Sequence, residues 1–313
     1  MKVIDFETIR NMGITPLQCY EWVSDMLTKK NETILPAKIS MKPMNGVFYN
    51  VMPTVLLDDK RVGVKVVTRY PERNPSLESE ILLYNLENGE LLAILDGTYI
   101  TAMRTGAVAA HSIKLLAKKD FKTLGFMGLG NTARATMKIL EALFPDREMT
   151  IKLLKYKNQH EQFKDIFSSN KNLKFEICDT CQQLVKGSDV IVSAVTVFED
   201  DVCEDECFDE GCLLVPIHTR GFTNCDLFFD KIFADDVNHV KGFKNFDKFK
   251  SFAEVADVVS GKVPGRESDT ERIIAYNIGI AIHDMYYADK IYEMSGKTPE
   301  ITLNPPKDQF WIK

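Results

Sequence analysis

A glycine-rich turn at residues 128–133, with the sequence GLGNTA, constrains the fold more than any other feature of this chain. The turn follows an apolar run and opens a helical pattern, which is the context that gives a GxGxxA motif its meaning. Gly128 permits a tight turn, Gly130 removes a side chain where a pyrophosphate would approach, and Ala133 lets the helix pack closely on the strand. Free N–H groups at the helix start would meet the anion. The turn therefore predicts a dinucleotide site.

The chain around this turn alternates between short apolar runs and amphipathic segments. Alternation of this kind is typical of a parallel sheet with helices on both faces, so we predict a doubly wound Rossmann domain. The expected strands are 123–130, 150–156, a run around Phe175 and 189–194, and a further apolar run follows at 212–216. The expected helices are 133–143, 161–167 and 182–186.

Residues 48–95 have a different pattern, in which short apolar runs such as 62–68 and 81–86 are separated by turns. These runs predict strands of an antiparallel or mixed sheet. A helix is expected at 98–117, and a long amphipathic helix from about Ile273 to Met294 would return to this part of the chain. The predicted α/β protein has a Rossmann domain at 114–285 and an α+β substrate-binding and dimerisation domain made of 1–113 with 286–313.

Charge and hydropathy exclude several classes of partner. The formal net charge is -6 and the pI is about 5.5, whereas nucleic-acid binding draws on clustered lysine and arginine. No run approaches the ~20 apolar residues of a membrane helix, and residues 1–12 have the pattern of neither a secretory signal nor a transit peptide. We expect a cytoplasmic protein that binds neither nucleic acid nor membrane.

The seven cysteines are expected to be reduced structural thiols, because their number is odd and no export signal is present. Cys178 and Cys181 form a CxxC pair, but no second close pair or histidine at ligand spacing accompanies it. We therefore predict no metal site.

The residues after the second expected strand bear on the choice of dinucleotide. An acid ~20 residues after the glycine motif usually holds the ribose 2′-hydroxyl of NAD, but this chain has Lys155, Tyr156 and Lys157 there. Because lysines can pair with a 2′-phosphate, we expect an NAD(P)H site with a preference for NADP(H) and a cofactor contact from Lys157. The alternative is that these lysines are ordinary surface charges.

The segment DGTYITAMRTGA at 96–107, followed by the glycine turn, resembles the ornithine cyclodeaminase and μ-crystallin family. Further similar segments are MP at 52–53, GVKVVT at 63–68, NGE at 88–90 and NIGIAIHD at 277–284, so the resemblance extends over nearly the whole chain. It implies a homodimer, with the nicotinamide in a cleft between two domains and a small amino or imino acid as substrate.

The resemblance also implies roles for individual residues. An arginine of the TAxRT segment, here Arg104, grips the substrate carboxylate, and a lysine of the GxK strand, here Lys65, lies beside the reacting centre. A further basic residue, usually arginine, is Lys38 in this chain, and lysine lacks the planar fork of arginine. The other expected contacts are Met52 for the substrate and Gly128, Gly130, Asn131, Thr132, Ala133, Thr196 and Gly279 for the cofactor.

The same two residues suit the chemistry independently of the family. A forked cation such as Arg104 fixes a carboxylate while a hydride moves at the α-carbon. A lysine in a dehydrated cleft between cations, as expected for Lys65, has a lowered pKa and exchanges protons with an amine or imine. The alternative for either residue is a salt bridge at the surface or in the dimer contact.

One loop departs from the cyclodeaminase pattern. Cyclodeaminases of the family resemble one another in a GxDxPGKxEL loop, whose aspartate handles the side-chain amine of the substrate. The corresponding stretch here, 215–227, has no acid at that place and has Arg220 near it. Arg220 would repel the ammonium of ornithine and favour a second carboxylate in the substrate. His218 in the same loop is either a proton carrier or an ordinary hydrogen-bonded histidine.

Several functions stay open from the sequence, and one is favoured: an NAD(P)-dependent oxidoreductase that moves a hydride at the α-carbon of a small α-amino or α-imino acid, as imine reductases and amino acid dehydrogenases do. The first alternative is an ornithine cyclodeaminase, a lyase that makes proline and ammonia with an internally recycled NAD. The second is an opine-like condensing dehydrogenase, because the PGRE run at 264–267 resembles a segment of such enzymes in this family. The third, a binding protein with little turnover, is disfavoured by the presence of Lys65 and Arg104.

Overall fold

The structure, a computed structural model, describes residues 1–195, 201–217 and 225–312. Two sheets organise these residues, one in the first hundred residues and one in the remainder of the chain. No helix in the described ranges has the length and apolar character needed to cross a bilayer.

The first sheet is mixed, as the sequence predicts. Its order is β1-β7-β6-β5-β4-β2, with β3 also pairing with β4. The pair β1 and β7 is parallel, and the other neighbours are antiparallel. The strands are β1 (Lys2–Ile4), β2 (Thr33–Ile34), β3 (Ile39–Met41), β4 (Phe48–Leu56), β5 (Arg61–Arg69), β6 (Leu77–Asn85) and β7 (Leu91–Asp96).

Local sequence explains where the helices begin. Thr15 and Gln18 form a capping box before the second helix, and the Asp96 carboxylate accepts a hydrogen bond of 2.8 Å from the backbone N–H of Thr98 as the third helix begins. The helices are α1 (Phe6–Arg10), α2 (Pro16–Thr28), α3 (Thr98–Leu116), α4 (Asn131–Leu143), α5 (Gln159–Phe167), α6 (Cys181–Val185), α7 (Val237–Val240), α8 (Val255–Val259) and α9 (Ala281–Met294).

The second sheet is parallel throughout and confirms the doubly wound prediction. Its order is β10-β9-β8-β11-β12-β15-β13-β14. Because the strands are parallel, their carboxyl ends share one edge, which is where such sheets bind ligands. The strands are β8 (Thr123–Met127), β9 (Met149–Leu154), β10 (Leu173–Cys178), β11 (Val190–Ser193), β12 (Leu213–Pro216), β13 (Lys231–Ala234), β14 (Phe252–Glu254) and β15 (Ile273–Tyr276).

The prediction of one helix from about Ile273 to Met294 is wrong in its first third. Residues 273–276 form β15, which is fully buried between β12 and β13. The turn that follows contains Gly279 at φ +93°, a conformation that interrupts a helix and favours glycine. The PGRE run at 264–267 consequently precedes a strand rather than the long helix. A short apolar run buried on both faces has no periodicity that separates strand from helix.

Helices α3 and α9 join the two parts of the molecule. Gly106 of α3 lies against α4, because a Cβ at Gly106 would be 2.6 Å from the backbone N of Thr136. Farther along α3, the Ser112 hydroxyl accepts a 3.1 Å hydrogen bond from Asn277, which follows β15. Helix α9 starts beside this turn and packs on β4, β5 and β6. The start of α9 and the middle of α3 therefore lie where the two sheets meet.

Candidate active site

Lys65 and Arg104, the two residues expected at the reacting centre, lie on either side of one carboxylate. Lys65 Nζ is 2.6 Å from Asp284 Oδ1, and Arg104 Nε donates to the same oxygen at 2.8 Å. The exposed fractions are 0% for Lys65, 5% for Arg104 and 0% for Asp284. The salt bridge considered as an alternative is thus present, but it is buried in the interior rather than at the surface.

The first sheet and α9 bring these groups together. Lys65 is on the buried face of β5, directly opposite Met52 of β4. On the same face, Gly63 leaves room for α9, since a Cβ there would lie 2.6 Å from the Met285 side chain. Asp284 is in the first turn of α9, where the helix dipole stabilises a negative charge.

Burial and the neighbouring charges shift the proton affinities of this cluster. Desolvation, followed by the charge of Arg104, lowers the pKa of Lys65 to about 7, although Asp284 opposes the shift. Burial disfavours the ionised form of Asp284, but Arg104 and Lys65 outweigh it and hold the pKa of Asp284 below its ordinary value. Lys65 therefore changes charge near neutral pH, as a general acid or base should.

The guanidinium of Arg104 is held at Nε, and Gly279 lies in front of its two terminal nitrogens. Its Nε is engaged by Asp284, whereas Nη1 and Nη2 donate no hydrogen bond to the part of the chain that the structure describes. Gly279 lies against the guanidinium, because a Cβ at Gly279 would be 2.7 Å from Nη1 and 3.2 Å from Nη2. Two parallel N–H donors are thus left for an anion.

Lys38 reaches the same cluster although it replaces the usual arginine. Its side chain is mostly buried, and desolvation lowers its pKa, with Asp235 opposing and Arg104 reinforcing the shift. Asp235 follows β13 at the carboxyl edge of the second sheet, and its Oδ2 accepts a 2.5 Å hydrogen bond from the Gly279 backbone. Three cations, Lys38, Lys65 and Arg104, therefore face two carboxylates, Asp235 and Asp284.

Lys30 ties the first part of the chain to this edge. Its Nζ donates to the backbone oxygen of Asp235 at 2.6 Å and to Glu254 at 2.7 Å, and it lies 3.2 Å from the Asp236 carboxylate. The side chain is 6% exposed, so the charge is compensated by these acceptors. These contacts fix the position of Asp235, the residue that binds Gly279 and faces Lys38.

The glycine turn has the geometry that a dinucleotide needs. Gly128 has φ +75°, and a Cβ there would be 2.7 Å from the carbonyl carbon of Ala194, which follows β11. A Cβ on Gly130 would meet nothing within 4 Å, so the space beside Gly130 is open. Helix α4 begins with Asn131 and Thr132 and has no side-chain cap, which leaves its first N–H groups available to a pyrophosphate. Ala133 is fully buried against the sheet.

The lysines after β9 differ in their surroundings. Lys155 is 3.3 Å from the Asp179 carboxylate, and both side chains are exposed. Lys157 lies over the ring of Tyr156 at 5.3 Å and has φ +47°. Of the two lysines, Lys157 is therefore the one that makes no ion pair in the described residues.

Apart from Cys19, which is on α2, the thiols belong to the core of the second sheet. Cys178, Cys207, Cys212 and Cys225 lie in one apolar cluster, on which Cys181 and Cys203 pack. Burial raises the pKa of Cys203 and Cys212 to about 12, so both stay protonated at neutral pH. The described ranges contain no cluster of three or more histidine, cysteine or acidic side chains arranged for a metal ion.

Three expected site residues, Thr196, His218 and Arg220, lie outside the described residues. Sequence reasoning missed Asp284, Asp235 and Lys30. A signal for Asp284 was present, since it is an acid within the apolar run GIAIHDM at 279–285. Asp235 also follows an apolar strand directly, at the edge where parallel sheets bind ligands.

Three relatives match most of this chain. Nodulation efficiency protein NfeD of Rhizobium meliloti is 25% identical over 273 residues, which are 83% of this chain and 84% of that protein. Delta(1)-pyrroline-2-carboxylate reductase of Bacillus thuringiensis is 28% identical over 265 residues, 78% of this chain and 80% of that protein. Ketimine reductase mu-crystallin of Mus musculus is 28% identical over 267 residues, 80% of this chain and 82% of that protein.

Two solved structures share the fold over nearly the full length. Delta(1)-pyrroline-2-carboxylate reductase of Thermococcus litoralis, in complex with NADH and L-proline, has a TM-score of 0.83 at 23% identity and covers 96% of this chain and 100% of that chain. An archaeal alanine dehydrogenase dimer with bound NAD has a TM-score of 0.84 at 22% identity and covers 97% and 99%. The model of the ornithine cyclodeaminase/mu-crystallin family matches residues 17–298, and this chain therefore belongs to that family.

Proposed function

We propose that this chain is an NAD(P)-dependent oxidoreductase that transfers a hydride between the nicotinamide and the α-carbon of a small α-amino or α-imino acid. The observation that carries the proposal is the pair of unengaged Arg104 nitrogens beside Lys65, a lysine whose pKa is about 7. The pyrroline-carboxylate and ketimine reductases among the relatives support reduction of an imine.

Substrate binding follows from the charge of the cluster. Arg104 Nη1 and Nη2 present two parallel donors, the geometry that binds a carboxylate in bidentate fashion. Lys38 lies within electrostatic reach of the same guanidinium. With Lys65 protonated, the three cations exceed the two carboxylates by one positive charge, which one monocarboxylate would compensate. The substrate carboxylate therefore binds between Arg104 and Lys38.

The proton is supplied by Lys65. With a pKa of about 7, Lys65 gives a proton to the substrate nitrogen during reduction and takes one during oxidation. The apolar cluster of Met52, Val67 and Ala281 adjoins it, with Leu35, Phe48 and Leu77 packed alongside. These side chains form a wall suited to a short aliphatic or ring side chain and exclude water from the reacting centre.

The dinucleotide binds at the glycine turn, where Gly128, Gly130 and the uncapped start of α4 fit a pyrophosphate. When bound, it supplies or accepts the hydride. We propose a preference for NADP(H) because Lys157, unlike Lys155, makes no ion pair in the described residues and could pair with a 2′-phosphate. The homodimer is supported by the dimeric alanine dehydrogenase of the same fold. The domain boundaries, which fall within α3 and α9, and the cytoplasmic location stay predictions.

The test is a substrate screen that follows the absorbance of reduced nicotinamide. Cyclic imino acids with five- and six-membered rings, and oxo acids with ammonia, are offered with NADPH or NADH. We expect net oxidation of the cofactor with at least one of these acids. Proline and ammonia released from ornithine without net cofactor oxidation would instead establish the cyclodeaminase, and a bound cofactor with no turnover would establish a binding protein.

A matched pair of variants assigns the activity to the cluster. Arg104→Ala removes two charge-assisted hydrogen bonds of ~1.5–3 kcal/mol each, so kcat/KM should fall by about 100-fold or more. Arg61→Ala is the control, because Arg61 Nε makes a similar contact of 2.5 Å to Asp289 on α9. Equal losses of kcat/KM in the two variants would show that Arg104 does not bind the substrate.

A further inference from the structure

We propose that Asp284 is the positioning residue of this site: one carboxylate oxygen, shared by Arg104 and Lys65, aims the guanidinium at the substrate and sets how strongly the lysine holds its proton. The kinetic consequences of this inference rest on the proposed function. The effect of Asp284 on Lys65 in the protein without substrate does not.

The aiming follows from the geometry of the guanidinium. The group is planar, so fixing Nε against Asp284 Oδ1 at 2.8 Å leaves little freedom for the direction of the two terminal nitrogens. Gly279 on the adjacent turn has no side chain to fill the space in front of these two nitrogens. Asp284 thus takes the one donor of Arg104 that a carboxylate substrate does not need.

The effect on the lysine follows from the charges that face it. Lys65 Nζ has Asp284 Oδ1 at 2.6 Å and the Thr101 hydroxyl at 3.4 Å, with Arg104 and Lys38 as the neighbouring cations. His283, next to Asp284 on α9, adds no charge because burial lowers its pKa to about 3. Asp284 is therefore the acid that keeps protonated Lys65 stable in this cluster.

The second oxygen of Asp284 strengthens the argument. Asp284 Oδ2 is buried and has no hydrogen-bond partner in the described residues. The carboxylate is consequently compensated through Oδ1 alone, by the two groups whose chemistry the reaction needs. A carboxylate that served only to anchor α9 would be expected to satisfy both oxygens.

The chain offers a matched control on the same helix. Asp289 is also buried on α9, and its Oδ1 also accepts from an arginine Nε, that of Arg61, at 2.5 Å. Asp289 contacts neither Lys65 nor Arg104 in the described contacts. Asp284→Asn and Asp289→Asn therefore remove the same kind of ion pair from the same helix. Only Asp284→Asn takes the pair away from Lys65 and Arg104.

The kinetic experiment compares the two variants over a range of pH. Reductive kcat/KM declines above the pKa of Lys65. In Asp284→Asn we expect this decline to begin at a pH lower by about one unit or more, because the lost negative charge lowers the pKa of Lys65. KM for the imino acid should rise about tenfold or more, and the dinucleotide affinity should stay within about threefold. Asp289→Asn should leave the profile in place. An unmoved profile in Asp284→Asn, or equal shifts in both variants, would overturn the proposal.

A second readout needs no turnover and separates this proposal from the proposed function. The readout is the difference in melting temperature between the wild type and Lys65→Met as the pH is raised. This difference should begin to rise near pH 7, and in proteins that also carry Asp284→Asn the rise should begin at a lower pH. The same onset in both backgrounds contradicts the role of Asp284 even if no substrate is found. If Asp284→Asn does not fold, Asp284→Glu tests the aiming, because it keeps the charge and displaces the carboxylate by one methylene. KM for the imino acid should then rise, and a wild-type KM would refute the inference.

Discussion

Gly279 lies against the guanidinium of Arg104, so a single added methyl group should disturb substrate binding without touching a charged residue. In Gly279→Ala the Cβ would be 2.7 Å from Arg104 Nη1, 3.2 Å from Nη2 and 3.4 Å from Cζ. Favourable contacts between such atoms need about 3.5–4.0 Å. The backbone is held by the hydrogen bond from Gly279 to Asp235, so the guanidinium must move by about 1 Å.

The magnitude follows from two terms. A misplacement of about 1 Å in a positioning group costs on the order of 100-fold in rate, so kcat/KM for the imino acid should fall by about 10- to 100-fold. The left-handed φ of +93° at Gly279 adds a conformational strain of about 1–3 kcal/mol in a residue with a side chain. The melting temperature should therefore fall as well, and the loss of activity must be measured well below it.

The assay measures kcat/KM for the imino acid by oxidation of NAD(P)H and, separately, the dissociation constant of the dinucleotide by calorimetry. Gly13→Ala is the control, because Gly13 also has positive φ, +71°, but has nothing within 4 Å of the added Cβ. It should lose stability and keep activity. A Gly279→Ala enzyme with the kinetics of Gly13→Ala would refute the contact. Weakened dinucleotide binding with an unchanged KM for the imino acid would instead favour the predicted cofactor contact of Gly279.

Three further predictions concern the proton, the turn and the cofactor. Lys65 has a pKa of about 7 in the folded protein against an ordinary 10.5, so between these pH values the unfolded chain binds more protons. The free energy of unfolding of the wild type, relative to that of Lys65→Met, should therefore rise by about 2 kcal/mol from pH 7 to 9 in denaturant titrations. For the same reason, reductive kcat/KM should fall above about pH 7 and oxidative kcat/KM should rise. Gly128→Ala, whose Cβ would be 2.7 Å from Ala194, should abolish dinucleotide binding in calorimetry without unfolding the chain; binding at wild-type affinity would contradict the site. Lys157→Ala should weaken NADP(H) about tenfold and leave NAD(H) unchanged, and equal effects on both would show Lys157 to be a surface charge.

The sequence predicted those elements whose signals are local. The glycine turn at 128–133 lies between β8 and α4 as predicted, and each small residue has a separate steric reason: Gly128 approaches the residue that follows β11, Gly130 faces open space and Ala133 is buried. The start of α3 was also predicted correctly at Thr98, whose backbone N–H donates to the Asp96 carboxylate. Such features depend on a few neighbouring residues.

The features that were missed depend on residues far apart in the chain. Residues 273–276 form a strand because they fill the place between β12 and β13, which no local pattern reveals. Asp284 is 180 positions from Arg104 and acquires its role when α9 packs on the first sheet. The sequence identified the two cations but not the carboxylate that connects them, because a charge inside an apolar helix indicates a buried partner without naming it.

The central claim is that a hydride moves between the nicotinamide and the α-carbon of an imino acid held by Arg104. The most direct measurement uses NAD(P)H that carries deuterium at the transferable position of C4, together with a cyclic imino acid, and analyses the product by NMR. We expect one deuterium at the α-carbon of the product, on a single face, and a loss of this product in Arg104→Ala. A product whose α-hydrogen comes from solvent would contradict the account.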